Sequence, residues 1–321
     1  MTTLRAVVSL LLLLPASLQA ALEFLTVARP GDSPTISKIT SLGNKRLQET
    51  CGYNTRTKDF QQPEFKVSGG KKSQVADFPW AIAIAQRKNQ QSYCGGTIVS
   101  SKHFISAAHC FFDYSNNAKL PCKGFGQIDN FDSVIHYGGT CTRAGSKCSS
   151  ANTRTTRLRK VVFARVFHDG GCSRGRDLAI AEIEGEFVLD AKAKPICLPQ
   201  KHNTSSDLDF YSIFTNYGFG QDQNGARSDS LAYVDFQRYS VALGAPDVVE
   251  VTPTDIKGIC RGDSGSGFQA QSKTDGRNFL LGVHSIGPPC GKGHVYKSTY
   301  IPLYVDVICE KTGICPRGSL E

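Results

Sequence analysis

The recurrence of short apolar runs places the strongest limit on how this chain can fold. From residue 67 onward they appear as Trp80-Ala-Ile-Ala-Ile-Ala, Gly96-Thr-Ile-Val-Ser, His103-Phe-Ile-Ser-Ala, Lys160-Val-Val-Phe-Ala-Arg-Val-Phe and Leu178-Ala-Ile-Ala-Glu-Ile. Ser230-Leu-Ala-Tyr-Val-Asp-Phe, Phe279-Leu-Leu-Gly-Val-His and His294-Val-Tyr follow. Each run is rich in β-branched or aromatic residues and bounded by Gly, Pro, Asn or Asp, which predicts an all-β barrel or sandwich. One amphipathic segment over 301–310 predicts a terminal helix, with Gly313 as its stop. Residues 116–132 and 140–156 read as decorating loops, and no internal repeat is present. Residues 21–66 are polar and turn-rich, carry Cys51 and Gln61-Gln62-Pro63, and read as a light pro-segment or linker rather than a folded domain.

At 321 residues the chain can bury a sizeable core, as one large domain or two modest ones. Residues 1–20 have the form of a secretory signal. Arg5 gives the basic start, Val7 to Leu14 the apolar run, and Pro15-Ala16-Ser17-Leu18-Gln19-Ala20 the small-residue stretch, with cleavage after Ala20. A membrane anchor would need roughly 18 apolar residues, and this run is shorter. No later stretch qualifies. Twelve cysteines, an even count with no Cys-x-x-Cys pair, read as six disulfides in a secreted, extracellular protein rather than zinc ligands. The formal charge is +9, with basic residues at Arg154, Arg157, Arg159 and Lys160 and again at Lys71-Lys72. That charge could attract anionic polysaccharide or acidic substrates, although a solvated basic surface is the simpler reading. No stretch interleaves aromatics with basics, so a nucleic-acid groove is not expected.

The chemistry centres on Gly258-Ile259-Cys260-Arg261-Gly262-Asp263-Ser264-Gly265-Ser266-Gly267. A serine between glycines suits a nucleophile on a tight turn, where backbone N–H groups can approach a reacting carbonyl. Alone the string is ordinary loop vocabulary. It gains meaning from two upstream stretches. His109 closes a strand-like run beside Cys110, with Cys94 placed to pin its loop, and Asp177 opens the apolar run at Leu178. A serine hydroxyl needs a base, and the base needs an acid that fixes its tautomer. The blander readings are a satisfied core histidine at 109 and a strand-end cap at 177.

Ala107-Ala108-His109-Cys110, Asp177-Leu-Ala-Ile and Gly262-Asp263-Ser264-Gly265 resemble the three signature motifs of the chymotrypsin/trypsin-like serine peptidases, in that family's chain order. Phe78-Pro79-Trp80, Cys94-Gly95-Gly96, Asn216-Tyr-Gly-Phe-Gly220 and Ser285-Ile286-Gly287 are similar to its landmarks, and Glu49-Thr50-Cys51-Gly52 resembles a nematode branch. The resemblance implies two packed six-stranded antiparallel β-barrels with a short C-terminal helix and the site between the barrels. It divides the chain into a signal (1–20), a pro-segment (21–66), a peptidase domain (67–315) and a tail (316–321). His109 would be the general base, Asp177 its orienting acid supported by Ser285, and Ser264 the nucleophile, with N–H groups of Gly262 and Ser264 forming the oxyanion hole. Val67-Ser68-Gly69-Gly70 resembles an N-terminus exposed by an activating protease cutting after Lys66. The freed Val67 ammonium would pair with Asp263, whose simpler role is to cap the turn. Implied disulfides are Cys51–Cys197, Cys94–Cys110 and Cys260–Cys290. Cys122, Cys141, Cys148, Cys172, Cys309 and Cys315 stay unassigned, with Cys309–Cys315 a plausible short loop. Asn203-Thr204-Ser205 is the single glycosylation sequon.

Gly258 stands where trypsin-like members carry the aspartate that selects Lys or Arg, so basic substrates lose their counter-charge. The expected pocket comprises Gly258, Ile259, His284, Ser285, Ile286, Gly287 and His294. His284 matches the position of a glutamate-binding histidine in some members, which suggests cleavage after Glu, and secondarily after Asp, with help from His294 and Lys292. The blander reading is a pocket partly filled by His294 that prefers small or apolar residues. Expected partners are a protein or peptide substrate, an activating protease and a protease inhibitor, with no nucleic acid and no membrane once the signal is removed. No metal or organic cofactor is expected. The alternative is a catalytically silent or occluded protease-like binding protein.

Overall fold

A computed structural model of the chain describes residues 24–55, 71–111, 129–142, 151–164, 176–201, 205–221, 228, 230–236, 239–244, 247–253, 259–287 and 295–317. The strands in chain order are β1 (Phe24–Ala28), β2 (Lys71–Lys72), β3 (Ala81–Gln86), β4 (Ser92–Ile98), β5 (His103–Ser106), β6 (Ser133–Tyr137), β7 (Arg154–Ala164) and β8 (Ala179–Ile183). They continue as β9 (Tyr211–Gly218), β10 (Ala232–Phe236), β11 (Tyr239–Gly244), β12 (Val248–Pro253), β13 (Gly267–Ser272), β14 (Asn278–Ile286) and β15 (Tyr296–Tyr300). Two helices are described, α1 (Ser41–Thr50) and α2 (Val305–Thr312).

The first sheet runs β1-β7-β6-β3-β4-β5-β8, and a β7–β8 pairing closes six of its strands into a barrel with β1 outside. The second runs β11-β12-β15-β14-β13-β9-β10-β2. Only residues 237–238 separate β10 from β11 in the chain, yet the two lie towards opposite ends of this order. The expected all-β architecture is present as a closed six-stranded barrel and a second antiparallel sheet, with β1 and β2 as additions. Antiparallel pairing holds throughout both sheets. The helix expected near the C-terminus is α2. Gly313 ends it at φ 74, a left-handed conformation where a side chain would also collide with the Ile39 carbonyl.

Each sheet has its own apolar filling. Ile82, Ile84, Phe104, Ile105, Val161, Phe163 and Ile180 pack the first, and Phe214, Phe236, Phe268, Leu281, Tyr296 and Tyr300 the second. Trp80, fully buried, donates its indole N–H to Gln269 Oε1 across 2.8 Å, and Thr97 bonds the Tyr217 hydroxyl at 2.7 Å. These contacts join the residue before β3 to β13 and β4 to β9. They fix the junction where the candidate site forms.

Residues 24–55 depart from the reading as an unfolded linker. β1 pairs with Lys160–Ala164 of β7, just beyond where β6 stops at Arg157. Thr40 caps α1 by accepting the Gly43 N–H at 3.0 Å. Ile36 and Leu47 enter the core, and Asn44 bonds the Cys315 carbonyl and N–H, each at 3.1 Å. Beneath this segment Lys160 and Glu182 form a buried ion pair at 3.1 Å. Lys160 Nζ donates to the Thr35 carbonyl at 2.6 Å, and Glu182 Oε2 accepts the Ser37 N–H at 2.6 Å. The segment is polar in sequence because backbone groups and two charges carry much of its docking. Cys51–Cys197, Cys94–Cys110 and Cys309–Cys315 are disulfides, and Cys141 and Cys260 are also bonded. Cys122, Cys148, Cys172 and Cys290 lie outside the described residues, as do residues 1–20.

Candidate active site

His109 sits where β5 ends and a 3₁₀ turn over Ala108–Phe111 begins. The Cys94–Cys110 disulfide ties that turn back to β4. Asp177, just ahead of β8 and only 4 % exposed, meets the histidine twice. Its Oδ1 accepts the His109 backbone N–H at 2.9 Å, and its Oδ2 lies 2.6 Å from His109 Nδ1. Ser285 Oγ donates to the same Oδ2 at 2.5 Å, and Thr299 Oγ1 donates to the Asp177 carbonyl at 3.1 Å. An ionised carboxylate only accepts, so the proton resides on Nδ1 and Nε2 is the unprotonated, accepting nitrogen. Burial opposes the charge on both residues. The pairing outweighs it, raising the His109 pKa above 6.5 and lowering that of Asp177 below 3.8.

The loop of Ser264 is seated against the strands leading to His109 through its glycine neighbour. Gly265 has φ +81, and a β-carbon there would lie 2.3 Å from Ser106 Oγ and 2.5 Å from the Gly95 carbonyl. The serine loop thus rests directly on the strand ends that lead to His109. The Gly95 N–H donates to the Ser264 carbonyl at 2.7 Å, and the Gly265 N–H to the His284 carbonyl at 2.8 Å. His284 precedes Ser285, so one loop is clamped between the histidine-bearing strands and the support of Asp177. Gly265→Ala is expected to destabilise the fold by several kcal/mol and to cost most activity, since backbone on both sides must move. Thermal melting together with peptide turnover checks this. A variant retaining wild-type values on both would contradict the packing argument.

Gly262 has φ +99, and neither its N–H nor that of Ser264 has a partner among the described residues. Between them, Asp263 accepts the Gly220 N–H at 2.7 Å and the Cys260 N–H at 2.9 Å. Gly218 and Gly220 leave room for this carboxylate, since a β-carbon on either would overlap it. Burial pushes its pKa up to about 6 despite those two donors. Lys66 and Val67 lie outside the described residues.

On the pocket side, Ile259 is buried with Tyr296, and a β-carbon on Gly287 would lie 3.1 Å from the Tyr296 ring and 3.2 Å from His284 Cε1. Burial first, then the nearby charge of His109, pushes the His284 pKa down to about 3, so this imidazole is neutral. Ile286 is half exposed. Gly258, His294, Lys292 and Asn203 lie outside the described residues. The basic cluster does not form a free patch. Arg154 pairs with Asp190, Arg157 with Asp132, Arg159 with Asp32 and Lys160 with Glu182. The sulfurs of Cys94 and Cys110 lie near a ring nitrogen of His109, but their disulfide removes the thiolates a metal would need. Thr299 and Gly95 support the site without any sequence signal of that role. No helix among the described residues is long and apolar enough to cross a membrane.

Comparison with known proteins agrees with this geometry. The chain is 24 % identical over 278 residues to the trypsin-like protease try-5 of Caenorhabditis elegans, covering 75 % of this chain and 83 % of the relative. It is 24 % identical over 267 residues to the venom serine protease of Polistes dominula, covering 78 % and 85 %. A solved structure of human heparin binding protein superposes with a TM-score of 0.58 at 20 % identity, over 76 % of this chain and 96 % of that one, and shows the shared fold. The family model named Trypsin matches residues 67–308, and the chain belongs to the trypsin family of serine proteases.

Proposed function

We propose that this chain is a secreted serine endopeptidase made as a zymogen, and that His109, Asp177 and Ser264 hydrolyse peptide bonds through an acyl-enzyme. The carrying observation is the 2.6 Å contact between His109 Nδ1 and Asp177, which makes Nε2 the basic nitrogen of the ring. Nε2 takes the Ser264 proton as Oγ attacks the substrate carbonyl. The N–H groups of Gly262 and Ser264 hold the oxyanion, and the imidazolium, stabilised by Asp177, protonates the leaving amine. Water then repeats the cycle and frees the acid product.

Activation would follow a cut after Lys66. The Asp263 carboxylate, desolvated and met only by backbone N–H groups among the described residues, is suited to receive the Val67 ammonium. Residues 24–55 would stay attached through Cys51–Cys197. Export through residues 1–20 and glycosylation at Asn203 belong to the same reading. A fluorophosphonate probe applied before and after cleavage tests it. Labelling of Ser264 that appears on cleavage is expected, whereas no adduct in either state favours a silent binding protein.

A neutral, buried His284 beside Tyr296 gives a substrate carboxylate no counter-charge, which favours small or apolar residues before the cut. Fluorogenic peptides differing only at that residue should show leucine or alanine turned over roughly tenfold faster than glutamate, a difference of about 1.4 kcal/mol. Faster glutamate cleavage would reverse this preference.

A further inference from the structure

We propose that Asp247 is a positioning residue for Asp177, holding the turn that aims the carboxylate at His109. This inference rests on the reading of His109, Asp177 and Ser264 as the reacting set. The residue before Asp177 is Arg176, at φ +60, one of only three non-glycine residues with positive φ among those described. A β-carbon disfavours that conformation, so something must hold it. Both oxygens of Asp247 accept the Arg176 N–H, at 3.0 and 2.9 Å. The Arg176 carbonyl then accepts the Leu178 N–H at 2.9 Å, which closes a tight turn with Asp177 at its apex.

Asp247 is itself fixed. It is buried, its carbonyl accepts the Tyr300 N–H at 2.7 Å, and its Oδ2 accepts the Tyr304 hydroxyl. Burial raises the Tyr304 phenol, which therefore stays protonated as a donor. The neighbouring Thr299 holds the Asp177 carbonyl. The stretch from Thr299 to Tyr304 thus grips Asp177 at one point directly and at another through Asp247. On the far side, the Asp177 carboxylate must satisfy three donors at 2.5 to 2.9 Å. A displacement of about 1 Å in such a group costs on the order of 10²-fold in rate.

Asp247→Asn keeps the size of the side chain but replaces one accepting oxygen with a donor that cannot take the Arg176 N–H. The expected result is a kcat roughly 10- to 100-fold lower, with KM within about twofold. Arg176→Gly in that background should restore much of kcat, because glycine adopts positive φ without a clamp. A readout independent of turnover is the low-field proton resonance of His109 Nδ1–H. It should shift or vanish in Asp247→Asn and return in the double variant. A folded Asp247→Asn protein with unchanged resonance and kcat, or one that Arg176→Gly fails to restore, overturns the proposal. If Asp247→Asn does not fold, Tyr304→Phe removes one donor and should lower kcat several-fold; an unchanged kcat and resonance there overturns it equally. Should wild-type protein give the resonance but no fluorophosphonate adduct, the peptidase reading fails, while the resonance series still decides the role of Asp247.

Discussion

Replacing Ser264 by alanine will lower kcat/KM by about 10⁴-fold or more and leave the melting temperature nearly unchanged. In the proposed mechanism the loss follows from removing the nucleophilic oxygen, so what remains is oxyanion-hole binding and solvent water. Stability is spared because the loop is held by backbone groups: the Gly95 N–H on the Ser264 carbonyl and the Gly265 N–H on the His284 carbonyl. His109→Ala should cost a similar factor, and the double variant little more, since the two act in one step. Asp177→Asn separates the roles further. His109 works as a base only when neutral, and Asp177 raises its pKa by favouring the cation. Wild-type activity should therefore fall as pH drops through that raised value. In Asp177→Asn the residual activity should hold to lower pH while kcat drops about 10⁴-fold through the wrong tautomer. A pH–rate profile of each variant checks this. An acid limb that stays in place would contradict the assigned pairing.

The second large effect lies far from the chemistry. Glu182→Ala leaves the Lys160 ammonium buried with only the Thr35 carbonyl, and losing one partner of a buried pair costs about 3–5 kcal/mol. For a chain of this size that lowers Tm by on the order of 10 °C. Replacing both residues, Lys160→Met with Glu182→Leu, should recover much of the loss, because no buried charge is then left alone. The wild-type pair also has a defined pH dependence. Burial disfavours ionised Glu182, but the Ser37 N–H and Lys160 outweigh it and lower its pKa below 4.5. Its contribution is thus present above the unfolded carboxylate pKa and fades as pH falls through the lowered folded value. Differential scanning calorimetry across pH 3–7 would show wild type converging on the Glu182→Ala variant at the acid end. Parallel curves would exclude the linkage.

The residues of the site were legible because chemistry restricts them to few types: His109, Asp177 and Ser264 can be found by asking what a serine nucleophile requires. Strands β3, β5 and β8 were legible from their apolar runs. The segment over residues 24–55 was not, since Ser37 and Thr35 dock through backbone atoms, and backbone hydrogen bonds leave no residue signature. The run Lys160-Val-Val-Phe is buried with β1 paired along its edge and the segment after β1 meeting Lys160, which only the fold reveals. The partners of the basic cluster were hidden for a related reason. Arg154, Arg157 and Arg159 find carboxylates at 190, 132 and 32, distant in sequence, so a local count of charge does not become a patch. Asp247 reads as one more turn aspartate until its two bonds to the Arg176 N–H are seen.

The docking of residues 24–55 also sets the order in which the chain can mature. β1 must wait for Lys160–Ala164, Cys51 for a partner 146 residues later, and Asn44 for the Cys315 backbone, 271 residues on. At a synthesis rate of ~5–20 residues per second, Cys51 spends on the order of ten seconds without its partner. Cys94 and Cys110 emerge first and are the nearer thiols in that interval. The long-range contacts that dock residues 24–55 on the first barrel thus form last, and Cys51 reaches Cys197 either by remaining reduced or by thiol–disulfide exchange after a premature pairing. Growth in a compartment that lacks an isomerase should accumulate chains with Cys51 misjoined, while the short Cys94–Cys110 loop closes correctly.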